Sequence, residues 1–257
     1  MKDASTPEPL PEHALLPYAP LRALAIDSLL VLAPHPDDEV FGCGGLLALA
    51  AMQGVRTQVI VACDGAANGD VEEREAEGRA AARVLGYLRR PDALQFWRLP
   101  DRGLRADAAL RQRIADALRD SGAQWLLVTS PFEIHPDHRA LCLAAIEACR
   151  DIDGVRLGFY EVGQPLLPNC LVDITPVMPL KQRAMRCFAS QLATQDYASQ
   201  VAALNHYRAY TLGAAVRHAE ALCFVDAADL RGGLDGVLAA TQRVLRRRFD
   251  AMDNPAP

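Results

Sequence analysis

The sequence predicts an α/β fold: a Rossmann-like, doubly wound and mostly parallel sheet flanked by helices. Three observations carry that prediction. Short apolar runs alternate with longer polar-faced stretches from residue 28 to about residue 150, the β–α rhythm of a parallel sheet with right-handed crossovers. Apolar residues make up 51% of the 257 residues, enough to bury one large core. Two of the apolar runs end in dense His/Asp clusters, and open α/β sheets place their ligands at the carboxyl ends of strands.

The elements follow in order. Residues 1–24 carry acids and the prolines Pro7, Pro9, Pro11, Pro17 and Pro20. They lack a signal-peptide pattern and read as an extended arm, ordered by packing on a neighbour. Residues 25–257 read as a single domain. The run 28–32 is a buried strand. It leads into Ala33-Pro34-His35-Pro36-Asp37-Asp38-Glu39, and then Gly42-Cys43-Gly44-Gly45 opens a helix to about Gln53, with Gly54 as its C-terminal cap. The glycines lack dinucleotide-loop spacing, and acids stand where a pyrophosphate would approach. Close helix–strand packing is their expected reason.

A second strand spans 56–63, followed by an Asp64-Gly65 turn and a polar loop to Val71. A helix over 72–85 ends at Gly86. Its Arg74 and Glu77 share one face, as a surface ion pair would. A strand over 94–99 ends in the loop Pro100-Asp101-Arg102-Gly103, and a polar amphipathic helix over 107–120 leads to a strand over 125–129. The second cluster, Glu133-Ile134-His135-Pro136-Asp137-His138, then opens a helix to about Arg150. Beyond it the rhythm changes to strands over 156–162 and 170–174 and helices over 177–192, 199–212 and 229–248. The basic end Arg246-Arg247-Arg248 suits the last helix's dipole.

Bulk properties narrow the function. A net charge of -5 is mild and argues against nucleic acid or an acidic membrane surface as the main partner. No run of eighteen apolar residues is present, so no membrane span is expected. Seven cysteines without a Cys-x-x-Cys point to reduced thiols in the cytoplasm, mostly in the core. His13, His206 and His218 read as surface or packing residues. Carboxylates crowded in a crevice repel one another unless a cation or proton stands among them. His35 and Asp38 offer a nitrogen and an oxygen of the types that suit zinc. With the second cluster converging on the first, two histidines and one aspartate leave a coordination position open, as in catalytic zinc sites. Iron(II) or cobalt can occupy the same ligands.

The two motifs, in this order and each after a strand, resemble those of the LmbE-like, or PIG-L, family of zinc-dependent N-acetylglucosamine deacetylases. Scattered similarity runs from Leu29 to Phe224 and includes Cys63-Asp64-Gly65, Tyr160-Glu161-Val162, Lys181, Ser190-Gln191, Asn205 and Arg208. The resemblance implies one zinc per chain on His35, Asp38 and His138. It leaves Asp37 as the base that takes a proton from water. His135, if protonated, stabilises the oxyanion or protonates the leaving amine, with Asp137 orienting it. Arg74 and Asp101 are expected to contact the sugar, and Glu220 to be a buried acid paired with arginine.

Some relatives have a tyrosine where this chain has Glu133, which is expected to turn away from the reacting carbonyl. The implied activity is deacetylation of an N-acetylated amino sugar, such as an N-acetylglucosaminyl glycoside or an intermediate of glycan or antibiotic assembly. Hydrolysis of another amide or ester, or a non-catalytic sugar-binding module, are the alternatives. A small amino-sugar substrate is the expected partner, and the reading leaves room for a homo-oligomer.

Overall fold

The computed structural model describes residues 18–253; most of the arm, with His13, lies outside them, as do the side chains of Arg247 and Arg248. The elements are β1 (Ser28–Ala33), α1 (Asp38–Met52), β2 (Arg56–Cys63), α2 (Val71–Leu85), β3 (Leu94–Leu99), α3 (Ala108–Ser121), β4 (Trp125–Thr129) and α4 (Pro136–Cys149). They continue with β5 (Arg156–Tyr160), β6 (Cys170–Asp173), α5 (Met178–Met185), α6 (Ala189–Leu192), α7 (Tyr197–Arg208), β7 (Ala219–Phe224), α8 (Ala227–Leu230) and α9 (Gly233–Asp253).

Seven strands form one sheet in the order β3-β2-β1-β4-β5-β7-β6. The first five are mutually parallel, β7 runs antiparallel to β5, and β6 antiparallel to β7. The parallel half confirms the doubly wound reading. Its strand order reverses between β1 and β4, and a crevice opens at such a switch point outside the strand ends. Both His/Asp clusters follow these two strands.

Core side chains fill both faces of the sheet. Helices α1, α2 and α5 pack together on one face, and α3 and α4 on the other, with α9 against α4. Capping matches the sequence where acids and glycines mark the ends. Asp70 and Asp107 accept the Glu73 and Leu110 backbone N–H groups, and Gly86 and Gly122 close α2 and α3 in the left-handed conformation.

Helix α1 is buried nearly all round and is interrupted at Cys43, where φ is -136° and ψ 26°. A Cβ on Gly42 would stand 2.3 Å from the Tyr160 ring, and one on Gly45 2.5 Å from Ile174, so the glycines do serve close packing. The break leaves backbone groups unpaired, and a buried ion pair takes them up. Glu220 accepts the Gly45 and Leu46 N–H groups at 2.7 and 2.8 Å, and Lys181 Nζ donates to the Phe41 carbonyl at 2.8 Å and to Glu220 at 2.7 Å. Glu220 is therefore buried as expected, but its partner is a lysine, not an arginine.

Other departures have equally local causes. The expected helix over 177–192 divides into α5 and α6, because Phe188 leaves helical geometry (φ -87°, ψ 59°) to bury its ring in the core. The expected helix over 229–248 divides at Gly232, where Asp229 O accepts the Gly232 N–H and ends the first turn. Leu21 bridges to Val172 on the outer side of β6, with Leu21 N donating to Leu171 O and Asp173 N to Leu21 O. The described end of the arm thus covers an edge of its own sheet. All seven cysteines are free; Cys43 is buried and its thiol is pushed well above its ordinary pKa by burial, which does not suit a reactive thiol.

Candidate active site

The turn after β1 is strained. Asp37 adopts φ 129°, ψ -33°, a region rarely taken by residues with a side chain. Its carbonyl accepts from Val40 and Phe41 N–H at 2.9 Å each and starts α1. The neighbouring carboxylates then face different partners. Asp37 Oδ2 accepts from Arg74 Nη2 at 3.1 Å. Asp38 Oδ2 faces His35 and His138.

Those three residues bring their donor atoms into a small triangle. His35 Nδ1 is 3.3 Å from Asp38 Oδ2, His138 Nε2 is 3.2 Å from Asp38 Oδ2, and the two nitrogens are 3.3 Å apart. Tetrahedral ligands about 2.0–2.1 Å from zinc stand about 3.3 Å from one another. Two imidazoles and one carboxylate at this spacing fit a transition metal by donor chemistry and by distance. His135 belongs to a wider group, its ligating nitrogen within 4.8 Å of those of His35 and His138.

Charge supports the same reading. Burial opposes a proton on His35, yet hydrogen bonds to Asp101, Asp137 and Asp38 raise its pKa far above the ordinary imidazole value. Burial likewise opposes a proton on His138, and Asp38 and Glu133 raise it to about 9. Burial pushes Asp38 up, but His138 and His35 together hold it well below the usual carboxylate range. Burial and the Asp38 charge push Asp37 up to about 7 despite Arg74. The crevice thus draws positive charge to its histidines, and a metal that displaces their protons would meet the same demand.

The structure redistributes several expected roles. Arg74 and Glu77 do not pair. Arg74 is buried and donates to Gly65 O at 3.1 Å, Pro36 O at 2.8 Å and Asp37, while Glu77 accepts from Ser190 N and Oγ. Their shared helical face points inward, not to solvent. Asp137 holds the His135 side chain through its backbone N–H and not through its carboxylate. Its carboxylate contacts His35 Nε2 at 3.2 Å and accepts the Arg102 and Leu104 N–H groups at 2.7 and 3.1 Å. It thereby fixes the loop after β3 against the first motif. Asp101 has both oxygens engaged, Oδ1 with His35 Nε2 at 3.2 Å and Oδ2 with Ala67 N at 3.2 Å.

His135 caps α4, its Nδ1 accepting the Asp137 N–H at 3.2 Å. Burial, with His35 and His138 nearby, holds its pKa below the ordinary value. The neutral ring therefore keeps its proton on Nε2. This differs from the protonated form expected from sequence; the causes are partial burial and the Asp137 N–H, which requires Nδ1 as its acceptor. Glu133 turns away from the crevice as expected and accepts the Val162 and Gly163 N–H groups.

A cavity of about 170 Å³ opens on these groups. Asn68, Arg102 and Gln191 form its polar wall, and Phe41, Val162 and Tyr197 its apolar one. Val162 and Gln191 stand out in the sequence through the family resemblance alone, and Asn68, Arg102, Phe41 and Tyr197 not at all. Glycines Gly65 and Gly69 bracketing the Asn68 loop, both at positive φ, were the available signal for that loop. The loop is held by Arg74, by Asp101 and by Gln191 Nε2, which donates to Asn68 O at 3.0 Å. No helix among the described residues is long and apolar enough to cross a membrane.

Known proteins resemble this chain in sequence and in fold. The family described as PIG-L, GlcNAc-PI de-N-acetylase, matches residues 30–149, which contain both motifs. The chain is 28% identical over 195 residues to diacetylchitobiose deacetylase of Thermococcus kodakarensis, covering 65% of this chain and 70% of that protein. It is 30% identical over 207 residues to 2'-N-acetylparomamine deacetylase of Streptomyces fradiae, covering 63% of this chain and 72% of that one. The crystal structure of the 4-carboxy-2-hydroxymuconate hydratase of Pseudomonas putida KT2440 superposes with a TM-score of 0.67 at 26% identity, covering 78% of this chain and 97% of that one. Sequence, sheet order and the two His/Asp motifs agree: the chain belongs to the PIG-L, or LmbE-like, family of de-N-acetylases.

Proposed function

We propose that the protein is a metal-dependent amidohydrolase that removes acetyl from an N-acetylated amino sugar. The observation that carries this reading is the His35–Asp38–His138 triangle, with Asp37 on the wall of the same cavity. We assign one zinc to the triangle. Bound there, it supplies Lewis acidity and a water acidified to about pKa 7.

The chain's own groups then have defined tasks. Asp37, at a pKa of about 7, is poised to take a proton from the attacking water and to give one back. Water adds to the amide carbon, the C–N bond breaks, and the nitrogen leaves with the returned proton as a free amine beside acetate. The Nε2–H of neutral His135 donates to the oxygen on which negative charge develops. Arg74 and Asp101 form the sugar side of the cavity. They also hold Asp37 and His35, so replacing either should lower kcat as well as raise KM. The two deacetylase relatives make an N-acetylated amino sugar the natural substrate class.

A second reading comes from the hydratase relative, since hydration also needs an activated water and a base. Acetate and free amine released from N,N'-diacetylchitobiose and 2'-N-acetylparomamine would be measured, beside hydration of an unsaturated dicarboxylate. Acetate release that disappears in Asp37→Asn supports deacetylation. Hydration with no acetate from any amino sugar would replace it.

A further inference from the structure

Glu133 follows β4 and lies five residues before His138. Its side chain is fully buried, although the mechanism above gives it no task. A carboxylate in that position is costly unless it is hydrogen-bonded, and here backbone N–H groups supply the bonds. Oε1 accepts from Val162 N at 2.9 Å, Gly163 N at 3.2 Å and Gln164 N at 3.4 Å, and Oε2 from Gly163 N at 3.0 Å. Oε2 also stands 3.5 Å from His138 Nδ1. That nitrogen is buried and has no hydrogen-bond partner, so Glu133 is the acceptor in place for it.

The far side of the ring matters for the triangle. A neutral imidazole carries one proton. If it sits on Nδ1, the Nε2 lone pair is free to bind a metal beside Asp38 and His35. If it sits on Nε2, that nitrogen cannot be a ligand. Metal-binding histidines are commonly fixed by a carboxylate on the other nitrogen.

We propose that Glu133 is a positioning residue for the metal centre: it takes the His138 Nδ1–H, keeps Nε2 free as a ligand, and ties that ring to the Val162–Gln164 backbone at the cavity wall. This rests on the metal site assigned above. The acceptor-only character of a carboxylate is what the position requires. A glutamine there would set its NH₂ against a donor either way round, against the backbone N–H groups or against Nδ1–H.

The test is zinc affinity of the full chain, measured by competition with a chromophoric chelator, together with ¹⁵N–¹H spectra of the zinc-loaded protein labelled at histidine. Glu133→Gln should weaken zinc binding by about 10–100-fold, the usual effect of removing an outer-shell partner. It should also lose or shift a slowly exchanging His138 Nδ1–H signal seen in the wild type. A carboxylate that only staples the loop would leave both unchanged. Zinc affinity within twofold of wild type, with the Nδ1–H signal in place, would overturn the proposal while leaving the metal site intact. A wild type that binds no zinc would overturn both. If Glu133→Gln does not fold, the wild-type spectrum decides, because a zinc-loaded protein whose His138 Nδ1–H exchanges freely with water contradicts the proposal.

Discussion

Two groups of buried charge flank the first half of α1, and they are built on opposite plans. Lys181 and Glu220 are fully buried, one positive and one negative, and each is also bound to backbone left open by the break at Cys43. That pair is closed and has no place for a ligand. At the crevice, Asp37, Asp38, Asp101 and Asp137 surround His35 and His138, with Arg74 as the only fixed cation hydrogen-bonded to them among the described residues. Glu39 beside them has one carboxylate oxygen without a partner. That cluster raises the histidines far above their ordinary pKa to gain positive charge. The difference teaches that a satisfied buried pair specifies a shape, whereas an unbalanced buried cluster specifies a ligand.

The largest expected effects break the unbalanced cluster. His35→Ala or His138→Ala should abolish deacetylation to the limit of an acetate assay. His135→Ala should keep the metal and lower kcat by roughly 10²–10⁴-fold, the range for a proton-transferring or donating group. Asp37→Asn should do the same, since its carboxylate is outside the triangle. Loss of metal from His135→Ala would mean that the two histidines of the second motif have exchanged roles.

The closed pair should respond in stability. Lys181→Met leaves Glu220 buried without its counter-charge, and such a break costs roughly 3–5 kcal/mol in urea denaturation. Adding Glu220→Gln should recover part of that loss, because the charge is removed while an acceptor for Gly45 or Leu46 remains. If the double variant is as unstable as the single, buried charge is not the cause.

The smallest effect concerns Glu39, whose carboxyl burial pushes up to about 8 from an ordinary 4.5. The folded state then holds a proton that the unfolded state releases, so stability falls as pH rises from 4.5 through 8. Glu39→Gln removes that loss. In chelator-treated protein it should raise stability at pH 8, by at most a few kcal/mol since a single pKa unit is worth about 1.4 kcal/mol, and the gain should vanish near pH 4. A thermal-melt difference independent of pH would contradict this.

Much of this was legible in the sequence, for reasons that differ by residue. Strands β2, β3 and β4 begin and end where the sequence places them, because each is short, built round apolar residues and bounded by turn chemistry. The His/Asp motifs were legible because so many ligand types at strand ends have little structural use. Strand β7 was hidden by Glu220 in the run Ala219–Phe224, since a buried acid imitates a turn or surface residue until Lys181 is seen beside it. The spacing of Arg74 and Glu77 reports a shared helical face and not what that face meets, so the hold of Arg74 on Pro36 and Asp37 is invisible in it. Glu133 gave no signal of its hold on 162–164, a contact made across about thirty residues of chain.

The most direct test of the central claim is metal content, measured by elemental analysis on protein purified without chelator, for wild type, His35→Ala, His135→Ala and His138→Ala side by side. The expected result is about one equivalent of zinc, or of iron or cobalt, in wild type and His135→Ala, and loss of metal in the other two. Wild type without metal, or metal retained in both His35→Ala and His138→Ala, would contradict the claim that the unbalanced cluster is built for that ion.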